Sequence, residues 1–195
     1  MRLVLIRHGE SVWNHSGRYT GWSDVGLTAN GVLESYHAGI LLAKQKIIPD
    51  YCITSTLRRS KETTSHILSA IEETTEKKDT IPIVSHWRLN ERDYGSLTGK
   101  DRSKHPWEGG YFDTPPDGES YHQTAKRVIP LITTHIHPLF NILLQQKEEP
   151  CILVCGHKNS LRALICHFEG HTYPYNDIFG NITIANAIPR LYKFF

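Results

Sequence analysis

Two short apolar runs constrain this chain more than any other feature. Leu3-Val4-Leu5-Ile6 and Cys151-Ile152-Leu153-Val154-Cys155 are unbroken and carry β-branched residues. A strand with one wet face alternates polar and apolar residues, whereas a strand covered on both faces does not. Both runs therefore predict central strands of a sheet buried on two sides. Tyr51 to Thr54 and Ile81 to Val84 read as further strands of the same sheet.

Helical patterns lie between the strands. Thr28 can cap a helix running to about Lys44, and a second helix runs from about Arg59 to Glu73 with Thr64, Ile67, Leu68 and Ile71 along one face. Ser120 to Gln123 has the form of a capping box. The long helix it opens has Ala125, Val128, Ile132, Ile136, Leu139 and Leu143 as its stripe. Pro130 and Pro138 should kink or break that helix, because each removes a donor and crowds the carbonyl four residues back. A last helix is expected from Asn159 to about Phe168.

Strands alternating with helices predict an α/β fold. It should be a three-layer sandwich, with a mostly parallel central sheet and helices on both faces. Residues 87 to 118 have no clean period and are rich in Gly, Pro, Asp and aromatics. They read as a lid-like insertion over one edge of the sheet. No internal repeat, linker or second core is visible, so residues 1–195 read as a single domain.

Composition removes several function classes. The 22 Lys and Arg against 20 Asp and Glu are too balanced for a nucleic-acid footprint. No apolar run approaches the roughly 18 residues that span a bilayer. The opening Met1 to His8 has too short an apolar stretch for a signal peptide, and a cytoplasmic location is expected. The four cysteines (Cys52, Cys151, Cys155, Cys166) are too sparse for a disulfide scaffold and read as buried thiols. Cys151 and Cys155 share one strand face and stand near His157, but no second ligand pair follows at a zinc spacing, so no metal is expected.

In open α/β sheets the ligand site lies beyond the carboxyl ends of the strands. Both clear strands end there in a histidine: Arg7-His8-Gly9-Glu10-Ser11 and Gly156-His157-Lys158-Asn159-Ser160. If these strands are adjacent, the two imidazoles face each other across one crevice. The strand at 51–54 ends at Ser55, followed by Arg58 and Arg59. Three strand ends could thus deliver two histidines and two or three arginines to one pocket. That collection suits a phosphoryl group, since guanidinium forks match phosphate oxygens and a histidine can carry the phosphoryl covalently. Glu91 is a candidate acid/base for the leaving oxygen.

The same residues carry a resemblance. Leu5-Ile6-Arg7-His8-Gly9-Glu10-Ser11 is similar to the signature of the histidine phosphatase superfamily. Trp13-Asn14, Tyr19-Thr20-Gly21-Trp22-Ser23-Asp24 and Thr54-Ser55-Thr56-Leu57-Arg58-Arg59 resemble its 2,3-bisphosphoglycerate-dependent phosphoglycerate mutase branch. So do Leu89-Asn90-Glu91-Arg92-Asp93-Tyr94-Gly95 and His157-Lys158-Asn159-Ser160-Leu161-Arg162-Ala163, and the likeness runs from residue 2 to about residue 193.

The resemblance implies that His8 is the phosphorylated nucleophile. It implies a phosphate pocket of Arg7, Arg59 and His157, with Glu91 as proton donor. Ser11, Asn14, Thr20, Gly21, Arg92, Tyr94, Arg102, Lys158 and Asn159 match positions that contact phosphate or glycerate. The implied reaction interconverts 3-phosphoglycerate and 2-phosphoglycerate, in glycolysis and gluconeogenesis. 2,3-Bisphosphoglycerate is the cofactor that primes His8, and no metal takes part. The implied partner is a small phosphorylated substrate rather than nucleic acid or membrane, and members often pair as homodimers.

Three departures bear on this. Mutases of the branch carry two arginines after a Trp and before Thr-Pro-Pro; here Trp107 is followed by Glu108 and Gly109, ahead of Thr114-Pro115-Pro116. The branch's lysine after the Glu-Arg motif falls at Arg102, so Lys100, Arg102 or Lys104 would serve a phosphate. The glycine after the second histidine is Lys158 here, which would either offset the missing arginines by its charge or crowd the pocket. Many mutases also have a tail over the site, whereas this sequence stops at Phe195. An open site would admit water to phospho-His8 and turn transfer into hydrolysis. The alternatives are therefore a histidine-type phosphatase acting on a small phosphorylated metabolite and an inactive relative that binds a phosphate ligand.

Overall fold

The computed structural model describes residues 1–76 and 80–194. Strands β1 (Arg2–Arg7) and β4 (Cys151–Gly156) lie side by side in parallel, with Arg2 opposite Cys151 and Arg7 opposite Gly156. β2 (Tyr51–Thr54) runs parallel to β4, and β3 (Ile83–Ser85) is parallel to β2 at one edge. β5 (Arg190–Lys193) is antiparallel to β1 at the other edge, giving the order β3-β2-β4-β1-β5. The fold is α/β with a mostly parallel sheet, as the strand pattern predicts.

Period-two geometry explains why the runs show no alternation. Leu3, Leu5, Ile152 and Val154 enter the core on one face, while Val4, Ile6, Cys151, Leu153 and Cys155 enter it on the other. The first face is covered by α4 (Tyr121–Val128), α5 (His137–Leu144) and α6 (Lys158–Phe168), and the second by α2 (Ala29–Lys44) and α3 (Arg58–Thr75). Burying each such aliphatic side chain stabilises by about 1.5–3 kcal/mol before chain entropy. All four cysteines are buried free thiols, and burial pushes Cys151 and Cys155 up to about 11.

Several local expectations shift. The capping box forms: Ser120 Oγ accepts from the Gln123 N–H at 3.0 Å and Gln123 Oε1 from the Ser120 N–H at 2.7 Å. Regular α-helix nonetheless stops at Val128, before Pro130, and a π-helical turn spans Ile132–Ile136. Pro138 then sits in the first turn of α5, where its missing N–H costs nothing. The wider turn rotates the apolar stripe, so Phe140, not Leu139 or Leu143, is the fully buried residue of α5. β3 begins at Ile83 rather than Ile81, and α6 begins at Lys158 with His157 as its capping residue. The sequence reading contains no β5, because that edge strand is largely exposed and lacks an apolar run.

Residues 87 to 118 hold two 3-10 turns, Trp87–Leu89 and Gly95–Leu97, in otherwise irregular chain. Where β1 ends, its loop presses against the start of α2. A Cβ on Gly31 would lie 2.1 Å from the Glu10 carbonyl oxygen, and one on Gly9 would lie 2.3 Å from that of Gly31. The two glycines thus permit the backbone contact that seats His8. Among the described residues no helix is long and apolar enough to cross a membrane, and no group of three or more His, Cys, Asp or Glu could hold a metal ion.

Candidate active site

His8 and His157 follow the ends of adjacent parallel strands, so they emerge together. Their rings stand 4.8 Å apart at 56°, and both are buried. His8 Nδ1 lies 2.7 Å from the Gly9 carbonyl oxygen. A carbonyl only accepts, so Nδ1 carries the proton and Nε2 is left bare. His157 Nε2 lies 2.7 Å from Ser55 Oγ, which also accepts from the Leu57 N–H at 3.2 Å. Among the described residues the Ser55 O–H has no other acceptor, so the arrangement that pairs it has Ser55 donating to His157 Nε2, with the His157 proton on Nδ1, which has no protein partner. One ring offers a lone pair and its neighbour offers an N–H.

Both imidazoles are held well below the ordinary histidine range. Lost solvation is the largest cause for each, followed by Arg59; Arg7 also acts on both, and the two rings' proximity lowers His157 further. Neutral rings at neutral pH follow.

Two guanidiniums flank the pair. Arg59, in the first turn of α3, is fully buried and donates through Nη1 to the Ser23 carbonyl at 2.8 Å and through Nη2 to the Gly21 carbonyl at 2.9 Å. Arg7 donates through Nη1 to the Ile184 carbonyl at 3.0 Å. Each keeps a buried Nε–H without a protein partner. Lost solvation lowers both, Arg59 to about 10, because Glu91 and other nearby groups offset only part of the burial cost.

Glu91 faces them from the 87–118 segment. Its Oε1 accepts from the backbone N–H groups of Arg92 at 2.8 Å and Asn159 at 3.2 Å, leaving Oε2 without a protein donor. Arg92 is 1% exposed and its guanidinium lies between the rings of Tyr94 and Tyr121, 4.6 and 4.0 Å from their centroids. Its Nε and Nη1 have no protein partner. Asn159 Nδ2 donates to the Tyr94 hydroxyl at 3.3 Å, and burial with Glu91 nearby pushes that hydroxyl up.

These side chains enclose a cavity of about 360 Å³, within the range of small-molecule sites. Arg7, His8, Asn14, Thr20, Arg59, Glu91, Arg92, Tyr94, Arg102, Lys158 and Asn159 all line it, and His157 is buried against His8. Six cationic side chains, with Arg162 as the sixth, meet one carboxylate there. Burial and the neighbouring arginines Arg162 and Arg7 lower Lys158.

Other expected residues stand elsewhere. Ser11 caps the short helix α1 (Val12–His15), taking the Asn14 N–H on its Oγ at 3.2 Å, and so orients Asn14 from outside the cavity. Gly21 contributes only its carbonyl to Arg59, at a φ of 51°. Arg58 points outward to pair with Glu62 at 2.6 Å. Lys100 and Lys104 are exposed outside the cavity lining, which leaves Arg102 as the cation of that stretch that reaches it. Glu108 is exposed, and Gly109 packs beneath the Trp107 indole, where a Cβ would lie 2.5 Å from the ring.

Sequence reasoning missed four lining residues, Tyr19, Trp107, Tyr121 and Arg162, together with Ser55 behind His157. Ser55, Tyr19 and Arg162 stand inside the motifs that carry the resemblance, and Trp107 opens the stretch that departs from it. Tyr121 had no signal beyond following the Ser120 cap. Arg162 is held in place: its Nε, Nη2 and Nη1 donate to the carbonyls of Ile182 and Gly180 and to Asn159 Oδ1, which leaves two of its five N–H donors over.

The family model of the histidine phosphatase superfamily (branch 1) matches residues 3–187. A 2,3-bisphosphoglycerate-dependent phosphoglycerate mutase of Cytophaga hutchinsonii is 38% identical over 98% of this chain and 87% of its own length. That of Bartonella quintana is 37% identical over 98% and 91%. Among solved structures, the alpha-ribazole phosphatase of Shigella flexneri superposes with a TM-score of 0.75 at 23% identity, covering 98% of this chain and 89% of that one. A mycobacterial glucosyl-3-phosphoglycerate phosphatase gives 0.71 at 22% identity, with 97% and 91% covered, and these two likenesses speak for the fold. Paired histidines at adjacent strand ends, a matching family model and curated relatives aligned almost end to end agree: this chain belongs to the histidine phosphatase superfamily.

Proposed function

We propose that this protein interconverts 3-phosphoglycerate and 2-phosphoglycerate through a phosphohistidine at His8 primed by 2,3-bisphosphoglycerate. The charge of the cavity carries this reading. Arg7 and Arg59 suffice for one phosphoryl group, yet Arg92, Arg102, Lys158 and Arg162 line the same space against the single acid Glu91. Four further cations fit a ligand with a second anionic group, as a phosphoglycerate or its bisphosphate has. The curated relatives quoted above carry the same activity in their names.

The chemistry balances in two half-reactions. Phospho-His8 gives its phosphoryl to the free hydroxyl of a monophosphoglycerate: the N–P bond breaks, an O–P bond forms, and Glu91 takes the hydroxyl proton. The bisphosphate turns, and the bare Nε2 of His8 attacks its other phosphorus. That O–P bond breaks, and Glu91 returns the proton to the leaving oxygen. Arg7, Arg59 and the Nδ1–H of His157 would stabilise the charge spread over the transferring oxygens. A neutral His8 is needed, since an imidazolium has no lone pair, and its lowered pKa supplies one.

One observation favours a second reading, hydrolysis of a small phosphorylated metabolite. Glu108 is exposed and Gly109 has no side chain, so that stretch supplies no cationic clamp. The two superposing structures described above are named phosphatases. A phosphorus NMR time course on 3-phosphoglycerate with a trace of 2,3-bisphosphoglycerate separates the two. Growth of 2-phosphoglycerate with little inorganic phosphate is the expected result, whereas phosphate without isomer overturns it in favour of hydrolysis. If neither forms and His8 takes up no acid-labile phosphate, both readings fall.

A further inference from the structure

We infer that Trp107 is a specificity-determining residue whose indole N–H hydrogen-bonds an oxygen of the non-transferring part of the substrate. The inference rests on the reading of the cavity as a phosphorylated-ligand site and extends it to a neutral donor.

Three observations carry it. Trp107 lines the same cavity as His8, yet its Nε1–H is buried without a protein partner. An unmet buried donor loses its hydration with nothing in return, so a buried indole N–H normally has an acceptor. Trp22 shows the ordinary case, giving its N–H to the Glu91 carbonyl at 2.6 Å.

Second, the indole is held in place. A Cβ on Gly109 would lie 2.5–2.6 Å from Cζ2, Cε2 and Nε1 of Trp107, so the N–H edge of the ring rests on bare backbone that no other residue could provide. The Tyr19 hydroxyl donates to the His105 carbonyl at 3.1 Å, fixing the chain two residues before Trp107. Tyr19 itself lines the cavity and packs against Tyr94, with centroids 4.9 Å apart. The indole is therefore backed by Gly109, and its chain is anchored by Tyr19.

Third, its origin separates it from the transfer chemistry. His8, His157, Arg7 and Arg59 come from strand ends and the start of α3, whereas Trp107 comes from the irregular 87–118 chain with Arg102. An indole donates and carries no charge. It adds no electrostatic attraction, which the surplus cations already supply. It instead rewards a ligand that places an acceptor at one point, which makes it a selector rather than an anchor.

The test is calorimetric affinity for inorganic phosphate and for 3-phosphoglycerate with wild type, Trp107→Phe and Gly109→Ala. Phenylalanine keeps an aromatic ring and deletes the N–H; alanine at 109 forces the ring to move. Both variants should bind 3-phosphoglycerate about tenfold more weakly while affinity for inorganic phosphate stays within twofold. That selective loss supports the assignment, and retained phosphate affinity shows that the variant is folded. Should Trp107→Phe fail to bind phosphate, Gly109→Ala alone carries the comparison. Unchanged 3-phosphoglycerate affinity in the folded variants overturns the role of Trp107. Wild type binding 3-phosphoglycerate no more tightly than phosphate overturns the phosphoglycerate reading and this assignment with it, a failure seen in the wild type rather than in the variants.

Discussion

Replacing Ser55 by alanine removes one oxygen that serves two groups. Ser55 Oγ accepts from the Leu57 N–H at 3.2 Å and stands 2.7 Å from His157 Nε2. The residue is fully buried, so water does not readily replace it. Each orphaned group costs about 1–3 kcal/mol, which places the loss of stability at roughly 2–6 kcal/mol. Activity should suffer separately, because the hydroxyl holds the His157 proton on Nδ1. A hydrogen bond between neutral partners contributes about 0.5–1.5 kcal/mol. At about 1.4 kcal/mol per factor of ten, removing that bias lowers kcat/KM by about 2- to 13-fold. Urea unfolding measures the first effect and phosphorus NMR initial rates the second. Nitrogen-15 NMR of the imidazoles reads which nitrogen carries the proton. A wild-type His157 protonated on Nε2 refutes the reasoning outright, as does a Ser55→Ala protein with unaltered kcat/KM and an Nδ1 still protonated.

Burial should make stability depend on pH with a definite sign. His8 and His157 are held well below the usual histidine range in the folded state, so the unfolded chain binds their protons first, near pH 6.5. Their contribution is full above about pH 6.5 and is lost as pH falls toward the folded values, by at most ~1.4 kcal/mol per pH unit for each ring. Urea unfolding between pH 7.5 and 5.5 should show a shallower slope for His8→Asn than for wild type; equal slopes would count against the account. Gly31→Ala should cost about 3 kcal/mol by driving a Cβ to within 2.1 Å of the Glu10 carbonyl oxygen. A calorimetric Tm lowered by roughly 6–12 °C is expected, and an unmoved Tm contradicts the close approach. Lys158→Gly removes a half-buried cavity cation and should weaken 3-phosphoglycerate binding by about tenfold at low salt. Unchanged affinity would sink the idea that Lys158 stands in for the missing arginines.

The strand runs were legible because burial on both faces abolishes alternation, a local record of a global fact. Capping at Thr28 and Ser120 was legible for a similar reason: the cap hydroxyl bonds to an N–H three residues on. The missed element, β5, is an exposed edge strand whose pairing with β1 joins residues 185 to 191 positions apart. The expected stripe holds through Ile132 and Ile136 and then shifts by one residue to Phe140, because a π turn adds length that no side-chain pattern announces.

The site divides in the same way. Residue types and motif order were enough to mark His8, His157, Arg7, Arg59 and Glu91 as candidates, since each sits at or beside a predicted strand end or in a recognisable frame. Which atoms are free to act depended on contacts between distant segments. Ser55 orients His157 across 102 residues, and Glu91 reaches the Asn159 N–H across 68. Arg59 is caged by carbonyls of residues 21 and 23, while its neighbour Arg58 turns outward. Adjacent residues with the same charge thus met opposite fates. By itself the sequence determined the strands and the chemical inventory, because local patterning encodes burial and side-chain chemistry is intrinsic. Only the tertiary structure decided which nitrogen is bare, which proton points inward and which cations share the cavity, because those depend on where the chain brings remote groups within hydrogen-bond distance.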